Sequence, residues 1–106
     1  DLIDYDRCIP SVAPLLEPIE APLGKYFVLG NHDRRLSDVG ALRQLLQRLG
    51  WHDLVHSSAL IESTSHEIYL IGNEKPWFDL PQREKDQIDT HSLRHQAALR
   101  IGVAHT

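Results

Sequence analysis

The chain has 106 residues, 42% hydrophobic and 25% charged, with a formal net charge of −4. That composition is ordinary for one globular domain, and the acidic balance without any long Lys/Arg cluster excludes a basic nucleic-acid footprint. Cys8 is the single cysteine, which rules out an internal disulfide or a thiolate metal cage, and no apolar run is long enough to span a bilayer. The first residue is Asp rather than Met, and this reads as a cut inside a longer protein.

Asp1-Leu2-Ile3-Asp4 reads as the end of a strand entering a loop. Residues 9–22 are apolar but carry Pro10, Pro14, Pro18 and Pro22. Each proline removes a backbone donor and restricts its predecessor, so a short, interrupted helix is expected. Leu23-Gly24 is a turn. Lys25 to Leu29 is a compact apolar run without polar alternation, as expected of a strand buried on both faces. Ser37 is the expected helix N-cap. Val39, Leu42, Leu45, Leu46 and Leu49 follow at helical spacing, and Gly50 closes the helix.

Farther along, Leu54–His56, Ala59–Glu62 and His66–Ile71 are predicted strands, the last ending at Gly72. Residues 73–88 form a loop with room for one helical turn. His91–Leu99 is a predicted helix and Ile101–Ala104 a final buried strand. Strands alternating with helices point to the α/β class.

The stretch that carries chemistry is Gly30-Asn31-His32-Asp33, delivered by the strand Tyr26–Leu29. Open α/β sheets place ligands at the carboxyl ends of their strands. Asn31 offers an amide oxygen, a neutral hard ligand for a divalent cation. His32 offers an imidazole that can protonate a departing oxygen near neutral pH. Asp33 is expected to orient that ring through a charge-assisted hydrogen bond.

This quartet resembles the Gly-Asn-His-Asp signature of the calcineurin-like metallophosphoesterases. Asp1 is similar to the Asp of their Gly-Asp block, and His105, after Ile101-Gly102-Val103-Ala104, to their lone strand-end His. The wording of Ala21–Tyr26 and of Ala104-His105-Thr106 is similar to the bacterial branch of YkuE- and YaeI-like phosphodiesterases. The resemblance implies a layered α-β-β-α sandwich, of which residues 1–106 are a partial domain truncated at both ends. It implies two divalent metal ions (Mn, Fe or Zn), with Asp1 bridging and Asn31 and His105 on the second ion. Hydroxide held between the ions would cleave a phosphomonoester or phosphodiester, with His32 assisting and Asp33 positioning it. The substrate would be a small-molecule or lipid phosphate ester, in the cytoplasm or at a membrane periphery. The family's Asp-x-His and Gly-His-x-His blocks are missing, so activity is expected from the full-length parent rather than from this chain alone.

Competing readings are plainer. A degenerate phosphoesterase-like module that binds or supports without catalysis would keep the same motif. The pairs His52/His56 and His91/His95 have helical zinc spacing, but match no block of the family and read as solvated or partly buried side chains. Asn73–Phe78 reads as a loop packing its aromatic pair on the core rather than facing a substrate.

Overall fold

The computed structural model describes residues 1–62, 66–79 and 99–105. A 3-10 turn (Asp6–Cys8) leads into helix α1 (Ile9–Leu16), then strand β1 (Lys25–Phe27), a second 3-10 turn (Asp33–Arg35) and helix α2 (Val39–Arg48). Strands β2 (Trp51–Asp53), β3 (Ala59–Glu62), β4 (Glu67–Asn73) and β5 (Leu99–Ala104) complete the order. Helices and strands are mixed in small sheets, an α/β arrangement. Among the described residues no helix is long and apolar enough to cross a membrane.

The run from Tyr26 to Leu29 organises the layers. The strand ends at Phe27 and not at Leu29 as expected, yet the side chains of the run keep the strand's alternation between opposite faces. Phe27 and Leu29 join a core with Val12 of α1, Leu36, and Leu42 and Leu46 of α2. Tyr26 and Val28 pack on a second core built from Leu54, Ala59 and Leu70, with Val103 of β5 against it. The lack of polar alternation thus has its cause: one face meets helices and the other meets a second sheet.

Strands β1 and β2 pair in parallel, Lys25 opposite Trp51 and Phe27 opposite Asp53, with α2 as the crossover. In the other sheet β3 is antiparallel to β4, and β4 is parallel to β5 from Ile68↔Leu99 to Asn73↔Ala104. The sheets meet where the Gly72 amide donates to the Leu54 carbonyl, 3.1 Å. A Cβ at Gly72 would lie 2.7 Å from Leu54 Cβ and 2.9 Å from Val28 Cγ1. Gly72→Ala should therefore cost about 1–3 kcal/mol by overpacking, read as a lower urea midpoint at unchanged slope. An unchanged midpoint would mean that the sheets separate freely there.

Several local expectations are corrected. Leu54–His56 is a turn, and the strand lies just before it at Trp51–Asp53. Leu54 and Val55 are buried all the same, so their apolar character reports burial and not extension. The N-cap of α2 is Asp38, which accepts from the Ala41 amide at 2.9 Å. Ser37 instead donates from its amide and its hydroxyl to Asp6 Oδ1, both at 3.0 Å. Gly72 lies within β4 and does not end it. The last strand is mostly exposed, Leu99 at 50% and Ile101 at 40%, because β4 is its one neighbour among the described residues. Leu99 begins this strand, and the rest of the helix predicted over 91–99 lies outside the described residues.

Candidate active site

Past β1 the chain dives into the core at Leu29 and Gly30 and then turns sharply. Asp33 anchors the turn from beneath, with no exposed surface. Its Oδ1 accepts the amides of Leu2 and Ile3, both at 2.9 Å, and its Oδ2 accepts the Gly30 amide at 2.9 Å. The expected partnership of Asp33 with the His32 ring is corrected: the carboxylate is taken up by backbone donors. The physical reason is that the buried Gly30 amide must be paired, and the part-buried Leu2 and Ile3 amides have no strand partner among the described residues.

That anchoring lays Asp1 across the turn. Asp1 Oδ1 accepts the His32 amide at 3.0 Å. A Cβ on Gly30 would sit 1.9 Å from the same oxygen, so only glycine leaves room for this carboxylate. The other oxygen, Oδ2, lies 2.9 Å from His105 Nε2. His105 follows directly on β5, which runs parallel to β4. The structure therefore brings Asp1, His32 and His105 together from three separate stretches of chain. Asn31 occupies the turn between Gly30 and His32, half-buried.

Sequence reasoning missed Asp4 and Arg35. His32 Nδ1 donates to Asp4 Oδ1. Arg35 donates from NH1 to that same oxygen at 2.9 Å and lies 3.4 Å from His32 Nδ1. A carboxylate on Nδ1 fixes the ring and its tautomer and leaves Nε2 to exchange a proton. The available signal was an acid three residues after Asp1, on the segment that Asp33 straps to the turn.

A second ionic cluster lies behind the site. Glu74, fully buried, accepts the Leu29 amide with Oε1 and Arg43 with Oε2. Arg43 also donates to Asp53 Oδ2 at 2.7 Å and stacks 5.5 Å over the Phe78 ring. Burial disfavours the Arg43 charge, but the hydrogen bond to Glu74 and the charges of Asp53 and Glu74 outweigh it, and its pKa is raised. Phe78 packs on the helix-side core, while Glu74, read only as part of a loop, is the buried member of that loop. His52 places Nε2 2.9 Å from the Ser57 carbonyl and meets Tyr26 edge-on at 5.8 Å. His56 Nε2 is 3.9 Å from Asp53. His91 and His95 lie outside the described residues.

The donor set can be tested against a divalent cation. Two metal bonds of about 2.1 Å meeting at a right angle hold their donor atoms about 3 Å apart. Asp1 Oδ2 and His105 Nε2 stand 2.9 Å apart, and His105 Nδ1 is buried with no hydrogen-bond partner among the described residues. That spacing is an ordinary ion pair's and is also compatible with two adjacent ligands of one ion. Among the described residues no group of three or more His, Cys, Asp or Glu side chains is placed to hold a metal. Comparison of the chain with family models, curated proteins and solved structures gave no match.

Proposed function

We propose that this chain carries the central part of a metallophosphoesterase site, within a layered α-β-β-α domain, and that the reaction is hydrolysis of a phosphomonoester or phosphodiester. The observation that supports it most is the convergence of Asp1, the 30–33 turn and His105, with Asp1 touching both of the others. Asp1, Asn31 and His105 would hold divalent cations (Mn, Fe or Zn). When bound, these would supply positive charge to the phosphate oxygens and acidify a water. The chain's own residues do the rest. Asp4 holds the His32 ring by Nδ1, so Nε2 can give a proton to the leaving oxygen. Asp33 holds residues 1–3, and hence both Asp1 and Asp4, against the turn. The ligands of the Asp-x-His and Gly-His-x-His blocks are not among these residues, so turnover is assigned to a protein in which further segments supply them.

The test is hydrolysis of a nitrophenyl phosphodiester with manganese by that full-length protein. His32→Ala should lower the rate by about 10²–10⁴, the usual worth of a positioned acid, and Asn31→Ala should weaken the manganese dependence. Undiminished hydrolysis by His32→Ala would sink the assignment of the proton donor. A folded, metal-loaded protein without hydrolysis would favour the binding-module alternative.

A further inference from the structure

Arg35 stands on the rim of this site under unusual constraint. Its backbone amide donates to the His32 carbonyl at 2.9 Å, and the next residue, Leu36, is buried at 6% exposure. Its side chain is 56% exposed and meets Asp4 through NH1 alone. A guanidinium has five N–H donors in a planar fork. One of them points at Asp4, which among the described residues leaves the Nε and NH2 edge for another acceptor. Asp4 is the one carboxylate Arg35 meets among the described residues.

The fold gains little from this contact. An ion pair between exposed side chains contributes about 0–1 kcal/mol. The site has more to gain, because Asp1, Asp4 and Asp33 gather three carboxylates at one turn and would repel an anion. Arg35 sets a permanent positive charge beside His32, with a geometry suited to a bidentate grip on two oxygens.

We propose that Arg35 is the phosphate anchor of the site: with NH1 tethered to Asp4, the open edge of its guanidinium grips two non-bridging oxygens of the substrate phosphate next to the His32 ring. The inference deepens the phosphoesterase reading and rests on it for the identity of the anion. It also narrows the substrate class. A terminal phosphate presents more unesterified oxygens to the fork than a diester does, so monoesters gain most from Arg35.

The probe is inorganic phosphate, titrated with zinc present and again in EDTA, while the side-chain Nε–H resonances of Arg34 and Arg35 are followed by NMR. A saturable shift of the Arg35 signal without a matching shift at Arg34 is the expected result. Arg35→Ala should raise the apparent Kd roughly tenfold or more. Arg35→Lys, which keeps the charge and loses the fork, should fall between, and Arg34→Ala should bind as the unaltered protein does. Equal binding by Arg35→Ala, equal shifts at both arginines, or no shift under either condition would overturn the anchor. The hydrolysis assay is separate: Arg35-dependent phosphate binding in a protein that hydrolyses no ester would retain the anchor and remove the catalytic reading.

Discussion

Glu74→Ala should destabilise the fold by about 3–5 kcal/mol, the usual cost of removing one member of a buried ion pair. The carboxylate is fully buried and both of its oxygens are engaged, one by the Leu29 amide and one by Arg43. Alanine would leave a buried backbone N–H without an acceptor and a guanidinium, largely shielded from water, with Asp53 alone. Small domains have about 5–15 kcal/mol in total, so the urea midpoint should fall by a large fraction. Glu74→Gln keeps an acceptor for Leu29 but turns an amide donor toward Arg43, and should fall between alanine and the unaltered protein. A midpoint change equivalent to less than about 1 kcal/mol would mean that water already screens this cluster. The effect should also reach the site, since Leu29 immediately precedes Gly30.

Which parts of this could be read in the sequence follows from how local their causes are. Lys25–Leu29 declares itself because consecutive residues serve two cores, and Val39–Leu49 because one helical stripe serves one core. Placing the Gly30–Asp33 quartet at a strand end needed the same local information. The Arg43–Asp53–Glu74 cluster has no such signature. Its members stand 10 and 31 positions apart, and each alone looks like a solvated surface charge. Ser37 and Asp38 are both good caps, and only the position of Asp6, 31 residues away, decides that Ser37 is otherwise engaged. Val103 lies against the second core and Ile101 does not; what stands beside β5, not its composition, sets that difference. The error over Asp33 is the most informative. Adjacency to His32 suggested a side-chain partner, whereas the stronger demand came from three backbone amides, two of them 30 and 31 residues distant. The acid that the ring uses is Asp4, and nothing within a few residues of His32 points to it.

Asp33→Ala tests that division of labour directly. It removes three hydrogen bonds to a charged acceptor, each worth about 1.5–3 kcal/mol. Residues 1–3 can recover part of this by turning their amides to water, while the Gly30 amide, buried three residues beyond β1, cannot. The net loss should be about 3–5 kcal/mol. Hydrogen exchange provides the sharper signature: the Leu2, Ile3 and Gly30 amides should lose protection together, ahead of the α2 amides. Asp33→Asn keeps one oxygen for the Leu2 and Ile3 amides and presents its own donor to Gly30, so it should cost less and expose Gly30 selectively. Because Asp1 and Asp4 ride on the released segment, Asp33→Ala should also free the His32 ring from Asp4 and separate Asp1 from His105. A purely catalytic Asp33, oriented on the imidazole, would leave those three amides as protected as before, and that result would return the carboxylate to the role its neighbour in sequence suggests.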